Sequence, residues 1–264
     1  MPELAQGRFF EAYGAAMDAA LEAKVRDIEP WLVPGLVVDR GCGTGSLMKH
    51  LAARGRKVVG VDLSDTLSAR EAGVIQANVM DPVFSDGFIS NIVMSSVMHE
   101  VYSYGGYSMP AVVVCLSNCA RELRPGGRII VRDMWAPERD TRRFEYEMDA
   151  DVWERFLDFL ERTPEPVEVE DVNASRRTAR LSMRTAAEFL SKKDYVQHWE
   201  LELKEVFTSV PLSAFREIAG TLELRVLHAA PMRNEWIVAN RLMKGARGEP
   251  PPFTNQLVVL ERPE

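Results

Sequence analysis

A short apolar run that ends in an acid and opens straight into alternating glycines leaves this chain few folds to choose from. Leu36-Val37-Val38-Asp39 is followed by Arg40 and then by Gly41-Cys42-Gly43-Thr44-Gly45. The run reads as a buried parallel strand. The glycines read as a tight loop, because glycine tolerates positive φ and lets a ligand approach the main chain. Ser46 to Ala53 is then helical, with Leu47, Met48 and Leu51 on one face. Val58 to Val61 is a second strand, with Asp62 at its tip. Strand, glycine loop, helix, strand and acid, in that order, is how an open α/β sheet holds an adenosine-containing cofactor.

The glycine spacing decides which cofactor. A dinucleotide site calls for G-x-G-x-x-G, with the pyrophosphate on the helix N-terminus. Here the third glycine comes one residue early, and Asp39 stands two residues before the first. An acid there disfavours a pyrophosphate and suits a ligand with an ammonium group, while Asp62 can accept hydrogen bonds from both ribose hydroxyls. D-x-G-C-G-T-G closely resembles motif I of the class I S-adenosylmethionine-dependent methyltransferases. Arg124-Pro125-Gly126-Gly127 before the apolar strand Arg128 to Asp133 is a second resemblance, and the likeness covers residues 36 to 134. It implies an α/β fold: a Rossmann-like, seven-stranded, mostly parallel sheet with a helical cap inserted after strand five. It also implies a cofactor, S-adenosyl-L-methionine, leaving as S-adenosyl-L-homocysteine, with no metal required. Carried onto this chain, the cofactor-binding residues are Asp39, Gly41, Cys42, Gly43, Gly45, Asp62, Leu63, Ser95 and Asp81, the last meeting the adenine amino group. Arg40 departs from the family, which has a small or apolar residue there. It either meets a nearby carboxylate or snorkels.

Around this segment the organisation is coarser. Phe9 to Ile28 reads as an amphipathic helix, with Phe10, Tyr13, Met17 and Leu21 at helical spacing. Residues 1–35 are thus expected to cover the sheet or the cofactor site, and Asp65 to Glu71 to form a short helix. Gly73 to Asn78 and Phe88 to Val97 read as the third and fourth strands. Pro110 starts a helix that runs to about Leu123. Residues 36–137 and 213–244 are assigned to the core and 138–212 to the cap. Within the cap, Arg142 to Leu160 is read as helix, Arg176 to Arg184 as a basic run and Thr185 to Leu190 as helix. Leu222 to Leu227 and Glu235 to Arg241 are read as the last two strands. The proline-containing stretch 245–264 is read as an extended or partly disordered arm.

A net charge of −7 argues against indiscriminate nucleic-acid binding. No apolar run reaches the ~18 residues of a membrane helix. The opening stretch, with Glu3 and no long apolar core, is not expected to be a signal peptide. Three cysteines (Cys42, Cys115 and Cys119) suit a reducing compartment, so a cytoplasmic location is expected.

Methyl transfer is an in-line displacement, and a base is needed only when the acceptor is protonated at working pH. His99, just after the fourth strand, is the candidate base, with Glu100 second; packing near the cofactor is the plainer role for His99. Tyr102, Tyr104 and Tyr107 are candidate walls of an acceptor pocket, or ordinary surface packing. Arg177, Arg180 and Tyr195 are the candidates within the cap. The basic run Arg176 to Lys193 is either an anion site or a solvated face paired with Glu168 and Glu170. The absence of an N/D-P-P-Y/F motif argues against amide-nitrogen methylation. A small-molecule acceptor, methylated at oxygen, nitrogen or carbon, is the first reading. An RNA methyltransferase using the basic run, and a non-catalytic cofactor-binding partner subunit, are the alternatives.

Overall fold

The computed structural model describes residues 21–64, 73–138 and 141–264. Phe10, Tyr13 and Met17 of the expected first helix, and the helix expected over residues 65–71, lie outside the described residues. The chain divides into two compact units. One runs through Asp133 and takes back Phe215–Ala229 and Leu257–Glu264; the other holds Met134–Ala214 and Ala230–Gln256.

In the first unit, helix α1 (Leu21–Ile28) leads into strand β1 (Leu36–Arg40). Helix α2 (Ser46–Ala53), β2 (Lys57–Asp62), β3 (Val74–Gln76) and β4 (Ile89–Ser95) follow. Helices α3 (Met98–Tyr104) and α4 (Met109–Glu122) then lead to β5 (Leu123–Met134). In β1 and β4 nearly every residue is buried, as a parallel strand covered on both faces must be. β1 pairs in parallel with β2 on one side (Val38 opposite Val59) and with β4 on the other (Val38 opposite Ile92). The strand order therefore reverses between β1 and β4, and open sheets build their ligand crevice at such a switch point. Gly126 has φ +70°, and the β4–β5 register shifts between Ile89 and Asn91, so the Arg-Pro-Gly-Gly turn sits as an irregularity inside β5.

The second unit is not the all-helical cap expected. It carries β6 (Arg143–Met148), α5 (Ala150–Arg162), β7 (Val169–Asn173), β8 (Thr178–Ser182), α6 (Met183–Lys192) and the short α7 (Trp199–Glu202). Arg142 to Leu160 is therefore not one helix. Phe144, Tyr146 and Met148 are buried while Glu145 and Glu147 are exposed, a period of two that makes residues 143–148 a strand. Helix α8 (Leu212–Thr221) and β9 (Arg225–Met232) come next. Glu235 to Arg241 is helical rather than a strand: α9 (Glu235–Ile237) is capped by the Asn234 side chain, which accepts from Trp236 N at 3.0 Å and Ile237 N at 3.2 Å. β10 (Ala246–Gly248) completes a four-stranded sheet in the order β10-β6-β8-β7, antiparallel throughout. Phe144, Trp153, Phe156, Phe159, Leu181 and Phe189 fill this unit's aromatic core.

The tail corrects the reading most. Residues 245–264 are not an arm, because β11 (Asn255–Glu261) is buried along its whole length. It lies between β5 and β9 in the seven-stranded sheet, ordered β3-β2-β1-β4-β5-β11-β9. Gly126 N donates to Arg262 O at 2.9 Å and Trp135 N to Thr254 O at 3.3 Å, so β11 runs antiparallel to β5. Leu257, Val258, Val259 and Leu260 are an apolar run of strand length. Removing them forfeits about 1.5–3 kcal/mol each, together comparable with a whole domain's ~5–15 kcal/mol. A chain ending at Phe253 is therefore expected to lose the cooperative urea transition of the full chain.

Candidate active site at the carboxyl edge of the sheet

The glycine loop is folded back over β2. Gly41 N and Cys42 N both donate to Val61 O, at 2.7 and 3.2 Å, and Gly45 N donates to Cys42 O at 2.8 Å. Gly41, Gly43 and Gly45 have φ of +76°, +51° and +72°, which L side chains rarely adopt. A β-carbon at Gly41 would strike Val97, whereas one at Gly43 would enter open space. Gly43 thus marks the side of the loop where a ligand has room. Gly60, not singled out from the sequence, is needed because a β-carbon there would come 2.7 Å from Cys42 Sγ.

Asp62 clasps the loop: its Oδ2 accepts from Gly43 N and its Oδ1 from Ser64 N, each at 2.9 Å. Burial raises its pKa, partly opposed by those main-chain N–H groups. Leu63 beside it is exposed despite being apolar. Asp39 is buried at the end of β1 and its Oδ2 has no hydrogen-bond partner. Burial pushes its carboxyl up to about 7, with Lys24 of α1 pulling the other way. Ser95, at the end of the neighbouring β4, also holds its Oγ buried and unpartnered. A buried orphaned acid, a buried orphaned hydroxyl and an open glycine cradle on one strand edge suit a ligand bearing an ammonium and hydroxyl groups.

Arg40 meets a carboxylate. It is fully buried and ion-paired with Glu122 of α4, so it does not snorkel. Asp81, on the segment after β3, is exposed.

His99, in the first turn of α3, is buried and held by Asp133 at the end of β5. Its Nδ1 lies 2.7 Å from Asp133 Oδ1, and its main-chain N donates to Asp133 Oδ2 at 3.0 Å. An ionised carboxylate only accepts, so Nδ1 carries the proton and base chemistry falls to Nε2. Ser103 Oγ donates to His99 O at 2.7 Å and fixes the same turn. Asp133 was passed over in the sequence. Its signal was an acid ending an apolar strand, the pattern already read at Asp39 and Asp62. Glu100 is half-buried beside His99.

Tyr102, Tyr104 and Tyr107 lie in the first unit on and just after α3, with the Tyr102 and Tyr107 rings edge-on at 6.5 Å. Tyr102 is buried, Tyr104 half-buried and Tyr107 exposed. Arg177, Arg180 and Tyr195 belong to the second unit. Arg177 Nε donates to Met148 O at 3.2 Å, Arg180 pairs with Asp171 at 3.5 Å, and Tyr195 lies under the Arg241 guanidinium. Lys192 and Lys193 are fully buried. Lys192 pairs with Glu188 at 2.7 Å, and Lys193 with Asp194 at 2.9 Å. Of the basic run Arg176 to Lys193, the two lysines are thus turned inward and cannot reach a polyanion, while Arg176, Arg177, Arg180 and Arg184 are exposed.

Residues 38–131 match the family described as a methyltransferase domain. That stretch is a methyltransferase domain of the S-adenosylmethionine-dependent kind. S-adenosylmethionine is its cofactor and supplies the methyl group with its own leaving group. A dTDP-4-amino-2,3,4,6-tetradeoxy-D-glucose N,N-dimethyltransferase of Saccharopolyspora spinosa is 26% identical over 200 residues, 74% of each chain. The fold is similar to that of an S-adenosylmethionine-dependent methyltransferase from Mesorhizobium loti (TM-score 0.55, 16% identity, covering 93% of this chain and 99% of that one). It is also similar to a chain from the Haloferax volcanii complex of the Trm112 methyltransferase activator with a methyltransferase (TM-score 0.55, 13% identity, 97% and 96% covered). Among the described residues no helix is long and apolar enough to cross a membrane.

Because Asp39 holds its proton to about pH 7 when folded but to about 3.8 when unfolded, its own contribution to the stability of the cofactor-free protein is fully present only below about pH 4. The protein loses the Asp39 share as pH rises from about 4 to 7, by roughly 4 kcal/mol at most. Urea titrations are expected to show Asp39→Asn gaining more on the parent at pH 8 than at pH 5.

Proposed function

We propose that this enzyme methylates a small-molecule acceptor whose N–H or O–H proton is taken by His99. The observation that carries the reading is the buried His99–Asp133 pair at the carboxyl edge of the sheet. Asp133 holds the imidazole by both its ring and its main chain, so Nε2 keeps one orientation. The carboxylate also stabilises the imidazolium formed when the proton arrives, the role an acid plays behind a histidine base in other enzymes.

The remaining residues divide the cofactor between them. Asp62 receives the ribose hydroxyls and Asp39 the ammonium, with Cys42, Gly43 and Gly45 supplying close main-chain approach. Asp81 accepts from the purine amino group and Leu63 offers apolar surface to the ring. Tyr102, Tyr104 and Tyr107 wall the acceptor and exclude water. The acceptor class draws support from the S. spinosa relative, which is named for an amino sugar. It also draws support from the net charge of −7 and from the burial of Lys192 and Lys193, which removes two cations from the basic run.

Labelled-methyl transfer to small-molecule, RNA and protein fractions tests the class. Label entering the small-molecule fraction, with an acceptor KM that varies little with salt, is expected; label in RNA with a steep salt dependence would reject it. With the acceptor in hand, His99→Gln and Asp133→Asn are each expected to lower kcat by ~10²-fold or more while S-adenosylhomocysteine affinity stays nearly unchanged. A near-normal kcat in both variants returns the pair to a packing role. Asp62→Ala is expected to weaken S-adenosylhomocysteine by about 1–3 kcal/mol in isothermal titration.

A further inference from the structure

We infer that Arg40 and Glu122 are positioning residues for the purine end of the cofactor, acting through the main chain of residues 79–84; this rests on the cofactor assignment proposed above. Arg40 stands between Asp39 and Gly41, inside the glycine-loop segment itself. Its guanidinium reaches away from that loop to another one. Nη1 donates to Val79 O at 2.8 Å and to Asp81 O at 3.3 Å, while Nη2 pairs with Glu122. Glu122 uses its other oxygen, Oε1, to accept from Val83 N at 2.6 Å and Phe84 N at 3.0 Å.

The rest of the same helix face joins in. From α4, Cys115 Sγ meets Val79 O at 3.6 Å and Asn118 Nδ2 donates to Met80 O at 2.8 Å. Cys115, Asn118 and Glu122 recur at the helical period, so one stripe of α4 grips successive main-chain groups of the segment. The segment has no strand or helix of its own. This set of bonds fixes it together with its own turn, in which Met80 N donates to Asn78 Oδ1 and Asp81 N to Asn78 O, each at 3.0 Å, and the Asp81 side chain is exposed. Arg40 thereby links the loop after β1 rigidly to the loop after β3.

Folding alone does not call for an ion pair here. An apolar pair of similar volume would avoid the loss of hydration that two fully buried charges suffer. What such a pair would not do is hold four main-chain groups of the 79–84 segment in register.

The test is the ratio of two affinities in the full chain. S-adenosylhomocysteine and its 6-oxo analogue S-inosylhomocysteine differ at one purine edge: the 6-amino donor facing Asp81 becomes an acceptor, and N1 beside it changes from acceptor to N–H donor. The parent is expected to favour the amino form by about tenfold or more, since a site built to accept rejects an acceptor. In Arg40→Met/Glu122→Leu the ratio is expected to fall towards one. Asn118→Ala keeps the ion pair and is expected to lower the ratio about threefold, and it decides the matter if the double variant does not fold. A merely structural role would weaken both ligands alike, so an unchanged ratio in a folded variant overturns the inference. A parent that binds neither ligand overturns the cofactor assignment itself. A parent that binds both equally removes Asp81 from the purine site, and the positioning role with it.

Discussion

Parallel pairing of β1 with both β2 and β4 is the constraint on which the site depends. Parallel strands end together, so whatever closes each strand is delivered to one edge. Here β1 delivers Asp39, β2 Asp62, β4 Ser95 and then His99, and β5 Asp133. None of these residues is close in sequence to all the others, and no single loop assembles them. The sheet does so by register, and the reversal of strand order beside β1 opens the space they face.

The same geometry brings acids together in a buried place, and the molecule answers in different ways. Asp62 is held by main-chain N–H groups, and Asp133 by the imidazole and main chain of His99. Asp39 has Lys24 near it but keeps one oxygen unpartnered, and burial raises it to about 7. The least satisfied acid is therefore the one that gains most from a cationic ligand. Binding an ammonium there relieves a desolvation penalty that folding alone leaves standing.

The legible part of the sequence was the part with local chemistry. The strand–glycine–helix–strand segment is set by φ angles only glycine adopts well and by apolar runs of strand length, and it stands where it was expected. The illegible part depended on partners far away in the chain. β6 alternates inside a stretch whose charges also fit a helix, and only pairing with β8 and β10 settles its state. β11 follows a proline cluster that suggested an arm, yet its place between β5 and β9 makes it core. Arg40 offered two outcomes and no means to choose, because its partner Glu122 lies 82 positions on. The basic run divides for the same reason: sequence counts charges but does not show that Lys192 and Lys193 turn inward while the arginines stay exposed.

Asp133 shows how far the local reading extends once a rule is in hand. A parallel strand whose apolar run is followed within two residues by an acid places a carboxylate at the crevice. Applied to Val131-Arg132-Asp133, that rule finds the residue that orients His99. It does not find Arg40, whose side chain leaves the edge and runs back into the protein. The edge rule thus selects groups that face a ligand. Groups that hold such a face in place, as Arg40 and Glu122 hold residues 79–84, obey a different requirement. They need a buried partner for each charge and main-chain acceptors and donors for most of the remaining polar atoms, with Arg40 Nε alone of this pair left without a partner. That requirement is met only by the assembled fold, so positioning residues become visible at the level of packing, one step after the residues they serve.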